Sequence, residues 1–165
     1  MWNAHVFTSA VRRVRHFFRP TPASHPRDAT SETRTPGMII AAEAAFYRES
    51  AAASVEQEGA IVDLGCWLGA TSIALADGLS DHSAAGEHSE KKVLGFDRFV
   101  WEQWMPSHVP YGLYEVGESF LPEARRVVRD HGGGKVELHQ ADLTSYQWTG
   151  GSIKILLVDV MKLRR

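Results

Sequence analysis

The stretch Ala60-Ile61-Val62-Asp63-Leu64-Gly65-Cys66-Trp67-Leu68-Gly69-Ala70-Thr71 decides how this chain is read. Ala60 to Val62 is an apolar run of the kind buried in a parallel sheet. Asp63, Gly65 and Gly69 follow, and residues 70–79 have helical character. Strand, glycine turn and helix in that order make a ligand-binding device. Glycine lets the backbone come close to a ligand, and the first helical turn offers N–H groups with no intrahelical partner. Asp63 adds a carboxylate, which suits a ligand bearing a cation or hydroxyls better than one bearing phosphates.

Working outward, Thr35 and Pro36 read as N-cap and first position of a preceding helix. Met38, Ile39, Ala42, Ala45 and Phe46 would form its apolar face, and it would run to about Ser54. Residues 80–90 are polar and read as a solvated loop before a second strand, 91–96, closed by Asp97. Residues 98–116 hold Phe99, Trp101, Trp104, Tyr111 and Tyr114 with Pro106 and Pro110, an irregular stretch of the length that usually carries function. Residues 119–130 read as a helix with Phe120, Leu121, Ala124, Val127 and Val128 inward, Pro122 in its first turn and Gly132 to Gly134 ending it. Residues 136–139 and the strongly apolar 153–158 are the third and fourth strands. Such strand–helix alternation implies an α/β fold: a Rossmann-like, doubly wound parallel sheet with right-handed crossovers.

Residues 1–27 contain five arginines and no acid, and Val6, Phe7, Ala10, Val14, Phe17 and Phe18 recur at helical spacing. Residues 2–19 therefore read as a basic amphipathic helix. Such a helix serves a membrane surface or targeting, or packs on its own domain or a partner subunit; the packing role is preferred. With the Pro/Ser/Thr-rich linker of 20–34, this gives a region 1–34 and a domain 35–165. A chain of 165 residues, 44% hydrophobic, can bury one core. Its net charge of −2 argues against nucleic acid as main partner. Cys66 is the only cysteine, so no intrachain disulfide can form, and a reducing, cytoplasmic setting is expected. No apolar stretch approaches the ~20 residues of a transmembrane segment.

Four acids close the four strands: Asp63, Asp97, Asp142 and Asp159. Ligands of open α/β sheets bind outside the carboxyl ends of the strands, at the switch point. A carboxylate ending the second strand can accept both vicinal hydroxyls of a ribose, and Asp97 has that placement. The dinucleotide fingerprint G-x-G-x-x-G is not met, since Trp67 stands where a middle glycine belongs and the acid opposes a pyrophosphate.

The spacing Asp63-x-Gly65-x-x-x-Gly69 resembles the first motif of class I S-adenosylmethionine (SAM) dependent methyltransferases. The Gly65-Cys66-Trp67-Leu68-Gly69 variant looks like small-molecule O-methyltransferases of the macrocin O-methyltransferase type. The resemblance covers residues 35–162 and corresponds to the N-terminal part of that domain. It implies SAM as cofactor, held by Asp63, Gly65, Cys66, Trp67 and Gly69 around the methionine part and by Asp97 at the ribose. Asp142 and Leu143 would flank the adenine, and Asp159 would face the methyl-transfer site. It also implies a small-molecule acceptor methylated on oxygen. Asp159 has no second acid beside it, so no metal ligand is named. His108 and His139 could serve as a base on chemistry alone, but lone histidines are far more often structural, so no catalytic residue is named. A complete domain of this family has seven strands, so the sheet is expected to be truncated after the fourth. That expectation carries weak SAM binding, no unaided turnover, and an oligomer or partner chain over the fourth-strand edge. Two other functions stand beside it: a non-catalytic interaction protein, and a NAD(P)-dependent oxidoreductase. His131-Gly132-Gly133-Gly134 resembles an esterase oxyanion loop but lacks a G-x-S-x-G elbow, and reads as a helix stop. His82 and His88 read as loop residues. Trp101 and Trp104 suit either a pocket wall or packing on the sheet edge.

Overall fold

The computed structural model describes residues 37–82, 90–103, 105 and 114–160. The expected helix over 2–19, the linker, Thr35, Pro36, His88, Trp104 and His108 lie outside the described residues. The elements are α1 (Ala41–Ala53), β1 (Ala60–Leu64), α2 (Ala70–His82), β2 (Val93–Asp97), α3 (Leu121–His131), β3 (Val136–Gln140) and β4 (Ile153–Val158). All strand pairs are parallel, in the order β3-β2-β1-β4. The chain thus winds outward from β1 through β2 to β3, then returns across the sheet to place β4 on the other side of β1. This is the α/β, Rossmann-like arrangement, with its switch point between β1 and β4.

Alternation along the strands builds two apolar layers. Ile61 and Val93 face Ala51, Val55, Leu75, Ala76 and Leu79 from α1, the turn after it, and α2. On the opposite face, Val62, Leu64 and Phe96 pack under Leu143, Tyr146 and Trp148. Among the described residues that second layer is the 141–152 crossover rather than a helix. A third cluster joins α3 to the aromatic segment after β2: Phe99, Trp101 and Phe120 are each at most 1% exposed.

Several boundaries differ from the sequence expectation. The first helix starts at Ala41, where the Glu43 carboxylate accepts the Ile40 N–H at 3.0 Å, and Gly37 to Ile40 precede it without helical structure. Its inward face is Ala44, Tyr47 and Ala51; Ala42, Ala45 and Phe46 point to solvent. The cause is close approach of α1 to α2. A Cβ on Gly78 would lie 2.0 Å from the Arg48 carbonyl oxygen and 3.0 Å from the Ala51 Cβ, so small residues rather than large apolar ones mark the contact. β1 extends through Leu64, which puts Asp63 inside the strand. α2 continues three residues beyond 79, into the expected loop. β2 begins at Val93, because the Lys91 ammonium turns to the Val55 and Gln57 carbonyls at the end of α1. The helix α3 matches its expected inward set, with Pro122 in the first turn and Gly132 as C-cap.

Candidate functional site

The turn after β1 is built by contacts on both sides. Gly65 donates its N–H to the Phe96 carbonyl at 2.8 Å, and Asp159 donates its own to the Leu64 carbonyl at 2.9 Å, so the exits of β2, β1 and β4 are tied together. Gly65 has φ +85°, and a Cβ there would lie 2.2 Å from the Asp159 carbonyl oxygen. Gly69 has φ +90°, and a Cβ there would meet Val128 of α3 at 2.5 Å. Both glycines therefore answer packing within the protein, and Gly65 also faces the cavity at the strand ends. Trp67, at φ +47°, holds a left-handed conformation without being glycine. Such residues persist only where the surroundings over-determine them, and they cluster at functional sites.

Asp97, the last residue of β2, organises the turn. Its Oδ2 accepts the Trp67 N–H at 3.0 Å and its Oδ1 accepts the Phe99 N–H at 2.8 Å. One carboxylate thereby joins the glycine turn to the start of the aromatic segment. Asp63 is placed differently. It is 1% exposed, accepts the Ser72 hydroxyl at 2.6 Å, and its carboxyl is pushed up to about 6. Burial is the main cause; the Ser72 hydrogen bond lowers the value, and Asp159 and Asp97 raise it. Burial, then Asp63 and Asp97, also push the Cys66 thiol well up, which makes it a poor nucleophile.

A cavity of about 570 Å³ opens at the carboxyl ends of the strands, within the range of small-molecule sites. It brings together Gly65, Cys66, Trp67, Asp97, Asp142, Leu143 and Asp159 from the sequence-derived set. Asp63 and Gly69 do not line it: one lies beneath the turn, the other against α3. Asp142 starts a tight turn in which its Oδ1 accepts the Thr144 hydroxyl at 2.7 Å and N–H at 3.0 Å, and these bonds hold its carboxyl below the usual range.

Sequence reasoning missed Met38, Ile39, Val100 and Met105, which also line the cavity. The sequence pattern places Met38 and Ile39 on a helix face. Gly37 signals otherwise, because a Cβ there would sit 2.2 Å from the Ala70 Cβ and the segment must cross the start of α2. The Trp67 indole belongs to the buried cluster with Phe99 and Phe120, so it is not the obstacle to a pyrophosphate that its bulk suggested. The acids remain an obstacle. Trp101 packs on Phe120 and Tyr114 in the core and does not line the cavity. His139 stacks on Phe96 with ring centroids 4.8 Å apart, beside Glu137, and is likewise outside it. His131 ends α3 before the glycine stop. Among the described residues no three His, Cys, Asp or Glu side chains are grouped to hold a metal, and no helix is long and apolar enough to cross a membrane.

No protein-family model matches the chain, and no curated protein does. Among solved structures the chain is similar to EvdMO1, at 18% identity and a TM-score of 0.37, over 88% of this chain and 26% of that one. The chain spans about a quarter of the EvdMO1 chain, and a likeness of that strength supports no inference.

Proposed function

We propose that the cavity binds S-adenosylmethionine and that the chain is the cofactor-binding part of a methyltransferase acting on an oxygen of a small molecule. The observation that carries this reading is Asp97: a carboxylate at the end of the strand next to β1, bonded to the glycine turn and lining the same cavity. A carboxylate has about four acceptor positions, and two backbone N–H groups leave room for a ribose diol.

The donor set fits the cofactor. Asp97 and Asp159 place negative charge where a sulfonium and an ammonium gain from it, while Met38, Val100 and Leu143 offer apolar surface to a purine. Gly65, Cys66 and Trp67 would hold the amino-acid end through the backbone, and Asp142 with Leu143 would flank the base. Asp63 and Gly69 would act through the turn they support. When bound, the cofactor supplies an electrophilic methyl group on a sulfonium. The residues of this chain bind it, orient it and exclude water, which is most of what methyl transfer asks of a protein. Four acids, Asp97, Glu102, Asp142 and Asp159, line the cavity against one cation, Arg98, and that balance opposes the pyrophosphate of a nicotinamide dinucleotide, which disfavours the oxidoreductase reading.

Calorimetry of the full chain with SAM and S-adenosylhomocysteine tests the proposal. Both should bind, and Asp97→Ala should weaken each at least tenfold, about 1.4 kcal/mol. Failure of both to bind sinks the reading.

A further inference from the structure

A second cavity, of about 530 Å³, is lined by α3, β3 and the turn between them, and shares no residue with the first. Its floor is apolar: Val128 and Leu138 are buried and Val136 is partly so. Its rim carries Arg125 and Arg129, one turn apart on α3, with Glu137 and His139 from β3. The charge balance is the reverse of that in the first cavity. Glu137 is already matched, with the Lys92 ammonium at 3.6 Å and His139 Nε2 at 3.2 Å. Arg129 gives its Nε to Asp130 at 3.0 Å. Arg125 is paired with nothing among the described residues, whereas Arg48, Arg98, Arg126 and Arg129 each meet a carboxylate. Residues 37–160 carry 18 Asp and Glu against nine Lys and Arg, so a guanidinium left without an acid is the exception in this chain.

We infer that this cavity binds a small organic anion, an apolar body bearing a phosphate or carboxylate group. A guanidinium offers paired N–H donors that match the oxygens of either group. Arg125 and Arg129, at i and i+4, stand on one side of the helix, where two such forks can converge on one oxyanion. Val128, Val136 and Leu138 then take the apolar body, and the volume is that of a small-molecule site. Phe96 holds the His139 ring in place, with centroids 4.8 Å apart, so that wall is set before a ligand arrives. A Cβ on Gly134 would meet nothing within 4 Å, so the turn before β3 leaves the space open. The acids of the first cavity repel the same ligand, and the two cavities therefore select opposite charges. SAM in the first cavity is not required.

Methyl NMR of the full chain tests this, with phenyl phosphate and benzoate as probes and phenol as the uncharged control. At least one of the two anions should shift the methyl signals of Val128, Val136 and Leu138, with a dissociation constant of about 1 mM or tighter. The anion that binds more tightly identifies the charged group, and phenol should leave those signals in place. Arg125 is exposed and unpaired, so Arg125→Gln keeps the fold. That variant should bind the anion roughly fivefold more weakly, the size expected at an exposed guanidinium. Equal shifts with phenol, shifts confined to Val100 and Leu143 of the first cavity, or unchanged affinity in Arg125→Gln would overturn the inference. So would signals that neither anion moves.

Discussion

Asp63 lies four residues into β1, almost sealed from water, with the Ser72 hydroxyl on one of its oxygens. Its carboxyl is held near 6, so the folded chain keeps a proton there that the unfolded chain releases near 4. Stability therefore falls as pH rises from about 4 to about 6 at this group, by an amount on the order of 3 kcal/mol. Asp63→Asn removes the titration. The stability difference between wild type and variant, from urea unfolding at pH 4 and pH 7, should shift by about that amount in favour of the variant at pH 7. Parallel behaviour at the two pH values would refute it. Gly65 makes a second prediction at this scale. Gly65→Ala drives a Cβ into the Asp159 carbonyl at a positive φ, which should cost roughly 3 kcal/mol in urea unfolding. It should also lower SAM affinity by disturbing the Asp159 side of the cavity; an unperturbed variant would show that the turn has slack. The sequence named both residues, yet for Asp63 the reading erred on placement. An apolar run that breaks at an acid looks like the end of a strand, and only the pairing of β1 with β2 and β4 carries the ladder past it to Leu64.

Helices α1 and α3 were unequally legible for a physical reason. In α3 large apolar residues recur on one side with charges on the other, and the buried set is the one periodicity selects. In α1 seven of 13 residues are alanine, so hydrophobicity hardly varies round the helix and the few large residues mislead. What sets its face is distance. With Gly78 open to the Arg48 backbone, α1 and α2 approach closely, and the exposed bidentate Arg48–Asp81 pair, at 2.6 and 2.7 Å, sits at the rim. Gly78→Val should therefore destabilise by about 3 kcal/mol through overpacking. Asp81→Ala should cost under about 1 kcal/mol, as exposed pairs do. Urea unfolding of the two variants separates the cases. A larger loss at Asp81 than at Gly78 would mean that charge, not contact distance, holds the helices together.

The cavity exists only in the whole molecule. Its walls come from 37–39 ahead of α1, the turn after β1, the end of β2, the turn after β3 and the residues after β4, segments that only the β3-β2-β1-β4 order brings together. The motif, Asp97 and Asp159 were legible one by one because each lies at the end of an apolar strand, and Asp142 because it follows the short alternating strand Val136–Gln140. The segment at 37–39 was not, because its position depends on contact with Ala70 rather than on any local pattern. An unfolded chain cannot present such a site, so a ligand that fits it binds the native state alone, and its binding energy appears in full as stability. At 100-fold its dissociation constant, SAM should add about 2.7 kcal/mol, raising the melting temperature by roughly 5–10 °C for a chain of this size. S-adenosylhomocysteine should act likewise, and NAD and ATP at the same concentration should leave the melting temperature in place, since the acids of the cavity oppose their phosphates. A melting temperature that ignores SAM, or that rises equally with NAD, would remove the cofactor assignment while leaving the fold untouched.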